Sequence, residues 1–138
     1  MQSIGEIQKG VLEEFEMFED WVQKYEYLID LGKDLPPIDK QYKTEENLIK
    51  GCQSRVWLHA EKNNGKIIFS ADSDAIMTKG IVALLIRVFS GQSGNNIANA
   101  DLGFINTIGL KEHLSATRAN GLLSMIKQMK FYALALNK

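Results

Sequence analysis

The chain has 138 residues, 45% hydrophobic and 24% charged, with a net charge of −1. That composition fits one domain, residues 1–138, with a substantial core, and gives no reason to expect nucleic acid or an anionic membrane as partner. The charge is unevenly spread. Residues 1–46 carry twelve acids and five bases, a net of −7, and residues 47–138 carry five acids and eleven bases, a net of +6.

Ser3 followed by Glu6 is a capping-box signal for a helix start. Apolar residues recur at Ile4, Ile7, Val11, Phe15, Phe18, Val22, Tyr25 and Ile29, which places them on one helical face. Asp20 allows a restart before Trp21. Gly32 is a natural C-cap, and Pro36-Pro37 prevents continuation. Residues 33–46 read as an irregular crossing segment.

Asn47–Lys50 is a candidate short strand. Val56–Glu61 and Lys66–Ala71 are stronger ones, joined by Asn63-Asn64-Gly65, a hairpin signal. The sheet is therefore expected to be antiparallel, with two or three strands. Asp72, Ser73 and Asp74 offer N-caps for a helix over Ala75–Ser90. This helix is apolar nearly all round, so it should be buried against the sheet. Gly91 closes it. Short helical pieces follow at Asn95–Ala100 and Phe104–His113. Ser115 caps a last helix reaching about Leu136, with Leu122, Met125, Ile126, Met129 and Ala133 as its core face. The order gives an α+β fold, a small antiparallel sheet packed against several helices.

Many chemistries lack their residues. There is no Gly-rich phosphate loop or dinucleotide fingerprint, and so no cofactor is expected. His59, His113 and the one cysteine do not have metal-ligand spacing. A cluster-assembly scaffold needs several thiolates. The longest apolar run, Ile81–Ile86, is too short to span a bilayer. One cysteine forms no internal disulfide, and the N-terminus has no signal-peptide pattern, so a reducing cytoplasm is the expected location.

Cys52 is the chemical candidate. It lies in Gly51-Cys52-Gln53-Ser54-Arg55, after a turn signal and before a strand, so it is a thiol on a loop aimed by rigid structure. Free cysteines usually act as small buried hydrophobes, and reactivity needs an accessible thiolate. Polar Gln53, Ser54 and Arg55 are poor company for a purely structural thiol, and Gly51 permits close approach. His59, on the same strand face as Trp57 and Arg55, and His113 read first as structural residues. Arg118 falls in the first turn of the last helix, where the macrodipole disfavours a cation. It is either solvated, acid-paired or facing an anion. Gly121, one turn on, costs about 1 kcal/mol against alanine and would allow a close backbone contact.

Gly51-Cys52-Gln53-Ser54 followed by Val56-Trp57 resembles the active-site stretch of the SufE family of cysteine desulfuration proteins. Three further segments match in order. They are Leu31-Gly32 to Leu35-Pro36-Pro37, Ala71-Asp72-Ser73-Asp74-Ala75 with Lys79-Gly80, and His113-Leu114-Ser115 to Arg118 with Asn120-Gly121-Leu122. The resemblance implies an α+β fold similar to the IscU-type scaffold. It implies that Cys52 takes sulfur as a persulfide from a SufS-type or CsdA-type desulfurase, whose pyridoxal phosphate stays on the partner. The chain would stimulate that desulfurase and pass the sulfur to a SufBCD-type scaffold. It also implies that Asp74 and Arg118 lie near the partner interface or the cysteine loop, and Gly51 and Gln53 are expected with them as partner-binding or loop-supporting residues. Arg55 has no shared role. The chemistry is analogous to thiol–disulfide exchange and needs one thiol, not a triad. Cys52 is expected to rest against apolar groups and swing outward on docking. Other readings are a CsdE-like acceptor for another pathway, an independent thiol enzyme using His59 or His113 as base, and an interaction domain with an inert thiol.

Overall fold

The computed structural model describes residues 2–137, apart from the side chain of Lys111. Helix α1 spans Ile4–Glu16 and opens with the full capping box: the Ser3 hydroxyl accepts from the Glu6 amide, and the Glu6 carboxylate accepts from the Ser3 amide. The restart at Asp20 is real. Helix α2 spans Trp21–Lys33, and the Asp20 carboxylate accepts from the Gln23 amide. The break resets the helical phase, so the apolar stripe does not run straight through. Val22 is 64% exposed, while Leu28 is fully buried.

Gly32 is not the cap of α2. The helix runs on to Lys33, and Asp34 caps it in a right-handed conformation. The glycine instead lets α2 touch α3, which spans Ile76–Phe89. A Cβ on Gly32 would sit 2.8 Å from the Gly80 nitrogen, and one on Gly80 would sit 2.2 Å from the Leu28 carbonyl oxygen. Two glycines face to face bring the helix backbones together.

Strand β1 (Val56–Asn63) and strand β2 (Lys66–Ser73) form the hairpin, each longer than the sequence pattern suggested. Asn64 and Gly65 take φ of 52° and 79°, the left-handed pair that a two-residue hairpin turn requires. Leu58 pairs with Ala71 and Ala60 with Phe69, so these side chains share the face that packs on the helices. The opposite face carries Trp57, His59 and Asp72 and is partly covered by the crossing segment. Tyr42 stacks on His59 at 3.5 Å between ring centroids, and Lys43 lies 4.7 Å over the Trp57 ring. That segment contains two short 3-10 turns, Lys40–Tyr42 and Glu45–Asn47.

The third strand is β3, Gln92–Ser93, on the outer side of β2. Asn47–Lys50 contributes only an isolated bridge from Leu48 to Trp57 and an Ile49 amide bond to the Val56 carbonyl. Gly91, at φ 86°, ends α3 and turns the chain so that its amide meets Ile67.

Helices α4 (Gly94–Ala98), α5 (Gly103–Thr107) and α6 (Leu110–His113) are short connectors. Helix α7 spans Ala116–Leu136 and is capped by Ser115. Leu122, Met125, Met129 and Ala133 are buried and Ile126 is partly buried, as its apolar spacing predicts. One hydrophobic core joins α1, α2, α3, α7 and the hairpin. The fold is α+β.

Candidate functional site

The loop carrying Cys52 is held at both ends. On one side the Ile49 amide donates to the Val56 carbonyl at 2.9 Å. On the other, the Arg55 amide donates to the Asp74 carboxylate at 3.0 Å, and the Arg55 carbonyl accepts from the Ser73 hydroxyl at 2.8 Å and the Asp74 amide at 3.3 Å. Asp74 therefore does not cap α3. The N-cap of that helix is Ala75, without a side-chain bond. Asp74 pins the root of the cysteine loop from an adjacent strand end. Asp72 is not a cap either. It binds Lys43 at 3.2 Å and Lys79 at 3.4 Å. Burial opposes its charge, but the Ser73 amide and both lysines outweigh burial and hold its carboxyl below the usual range.

Gly51 makes the turn at φ 93°, a region closed to most side chains. A Cβ there would also lie 2.5 Å from the Ser124 hydroxyl on α7. The chain then delivers Cys52 to the start of α7. Its thiol donates a long bond, 3.6 Å, to the Gly121 carbonyl. A Cβ on Gly121 would lie 3.5 Å from Sγ, an ordinary contact, so Gly121 brings its carbonyl to the sulfur without being needed for clearance. Cys52 is half-buried against the core, and that burial pushes its thiol pKa up. At neutral pH the resting group is a thiol.

Beside it opens a cavity of about 330 Å³. Cys52, Gln53, Ser54, Thr78, Arg118 and Gly121 contribute to its wall. The structure thus unites Cys52, Gln53 and Arg118, which the sequence singled out separately. Gly51 and Asp74 stand behind the loop and shape it. Arg118 is exposed and makes no ion pair among the described residues, so the acid-paired alternative falls. Its amide is capped by the Ser115 hydroxyl. Thr78 was missed, because α3 reads as a continuous apolar helix. Only the structure marks it: with Gln92, it is one of two buried polar side chains among the described residues.

Neither histidine lines this cavity. The His59 ring stacks on Tyr42, with Glu61 at 3.8 Å. The His113 ring stacks on Trp21 at 3.9 Å and bonds the Gly109 carbonyl. Both are structural, and no imidazole stands beside the sulfur as a base. Among the described residues no group of three acidic, histidine or cysteine side chains could hold a metal, and no helix is long and apolar enough to cross a membrane.

A family model described as SufE, Fe-S metabolism associated domain, matches residues 9–133. The chain belongs to the SufE family. An uncharacterised SufE-like protein of Rhizobium meliloti is 40% identical over 87% of the chain and 89% of its own length. A SufE-like protein of Synechocystis is 36% identical over 91% of the chain and 79% of its own length. SufE-like protein 1 of Arabidopsis thaliana, named chloroplastic/mitochondrial, is 39% identical over 99% of the chain but only 38% of its own length. The solution structure of a hypothetical protein from Thermus thermophilus shares the fold, with a TM-score of 0.79 over 94% of this chain and 95% of that one at 21% identity. Membership of the SufE family implies a sulfur-transfer role in iron–sulfur metabolism.

Proposed function

We propose that this SufE-family chain, acting as one unit over residues 1–138, takes sulfane sulfur from a SufS-type cysteine desulfurase onto Cys52. In that reading it stimulates the desulfurase and hands the sulfur to a SufBCD-type scaffold in a reducing cytoplasm. The observation that carries it is a lone half-buried thiol, on a loop pinned at both ends, beside an open cavity and without a neighbouring base. Such a thiol is a poor independent nucleophile, because burial disfavours its thiolate. It is well suited to a transfer in which the partner supplies the activated sulfur. The Cys52 thiolate attacks the outer sulfur of the partner's persulfide, that S–S bond breaks, and the partner thiolate leaves. Docking would draw Cys52 off Gly121 and bring it against the partner's persulfide, with the cationic groups of the joined site stabilising the thiolate. Gly51 and Asp74 act as the loop's hinge and anchor, and Gln53 and Arg118 meet the partner or the sulfur.

The independent thiol enzyme is disfavoured by the positions of both histidine rings. The test is intact-protein mass spectrometry after incubation with a SufS-type desulfurase and cysteine. A reducible gain of sulfur on the wild type, absent from Cys52→Ser, is the expected result. No gain beside a demonstrably active desulfurase overturns the assignment to that partner. If the sulfur is gained only with a CsdA-type desulfurase, the CsdE-like reading takes its place.

A further inference from the structure

The cavity is larger and more polar than a single extra sulfur atom requires. A volume of about 330 Å³ is roughly ten times the share of one water molecule in the liquid. On its wall stands Thr78, a polar side chain only 6% exposed on an otherwise apolar helix. Arg118 faces the same space with no carboxylate paired to it among the described residues, and Ser54, Ser115 and Thr117 add further hydroxyls. The first turn of the 21-residue helix α7 contributes its positive end. Hydroxyl donors and a guanidinium match hard oxygen anions in geometry and charge. A soft sulfur would leave most of them unused.

From this we infer that the cavity seats the oxyanion of a small sulfur acceptor, held by Arg118 and Thr78 beside Cys52. The inference rests on the persulfide reading for its chemistry, though not for binding. Two acceptors share that chemistry: sulfite, and a low-molecular-weight thiol bearing a carboxylate. With sulfite, its sulfur lone pair attacks the outer sulfur of the Cys52 persulfide. The S–S bond breaks, its electron pair returns to the Cys52 sulfur, the persulfide proton ends on that sulfur, and thiosulfate leaves. With a thiol, the acceptor thiolate makes the same attack, and a small-molecule persulfide leaves while Cys52 regains a proton. Neither route needs an added oxidant or reductant. The chain would then discharge sulfur to a diffusible acceptor as well as to a protein.

Two arms test this separately. In the first, Cys52→Ser protein is titrated with sulfate and followed by amide chemical shifts. Saturable shifts at Thr78, Ser115 and Arg118, weakened in Arg118→Ala, are expected; none at these positions would overturn the site. In the second, protein loaded with polysulfide is chased with sulfite, 3-mercaptopropionate or neutral 2-mercaptoethanol, and the mass loss is timed. Arg118→Ala and Thr78→Val should each lower the ratio of anionic to neutral discharge, by about tenfold for Arg118→Ala, and Arg118→Lys should recover part of it. Sulfite alone responding names the inorganic acceptor, and mercaptopropionate alone names the carboxylate thiol. An unchanged ratio in both variants overturns the acceptor role. Failure of Cys52 to load would instead count against the persulfide reading, with the sulfate arm still deciding the site.

Discussion

Replacing Gly51 with alanine tests the link between backbone shape and sulfur position. Gly51 holds φ at 93°, and an added Cβ would sit 2.5 Å from the Ser124 hydroxyl and 3.3 Å from its Cβ. Two costs follow. A left-handed conformation costs a non-glycine residue about 1–2 kcal/mol. Turning Ser124 away from its rotamer costs about 0.5–1.5 kcal/mol more. Restricting the unfolded chain returns roughly 0.4–1 kcal/mol. The net loss is about 0.5–3 kcal/mol if the loop holds its shape, or roughly 2–10 °C in Tm for a chain of this size. A loop that relaxes instead keeps more stability but moves Cys52 off Gly121. Thermal unfolding and desulfurase-dependent sulfur uptake are therefore measured together on Gly51→Ala, Ser124→Ala and the double variant. Ser124→Ala should relieve only the steric part of the loss. If Gly51→Ala lost neither stability nor sulfur uptake, the argument from φ would be refuted. Full rescue by Ser124→Ala would reduce it to a simple clash.

Three further outcomes are expected. Because burial raises the Cys52 pKa, iodoacetamide should label native protein more slowly than a free thiol at neutral pH, with the labelling rate still climbing above the ordinary cysteine pKa; the same linkage means that stability falls as pH rises through that range. A free-thiol rate and pH midpoint in native protein would contradict the resting position. Gly80→Ala drives a Cβ against the α2 backbone, which cannot rotate away, so chemical denaturation should show a loss of about 1–3 kcal/mol after any gain in helix propensity. Asp74→Ala removes the acceptor of the Arg55 amide and should cost about 1 kcal/mol, with faster hydrogen exchange confined to Lys50–Arg55; exchange unchanged there would remove Asp74 from the loop's support.

Local chemistry decided much of this protein before any tertiary contact formed. The Ser3 capping box, the Asp20 restart, the Asn64-Gly65 turn and the Ser115 cap each rest on residues a few positions apart, so the sequence alone carried them. The same holds for the turn that presents Cys52. What lay beyond the sequence depends on residues far apart in the chain. Gly32 reads as a cap until Gly80 is set against it. Strand β3 has no apolar pattern and exists because Gly91 brings two residues beside β2. Asp74 reads as a helix cap until the hairpin register lays it beside Arg55. Thr78, Arg118 and Cys52 come from a helix, another helix and a loop, and only packing of α3 and α7 around the hairpin closes one cavity over all three. Sequence spacing determines which residues can share a turn or a face. Which distant groups meet at a sulfur is decided by how the apolar faces bury one another, and that is a property of the whole chain.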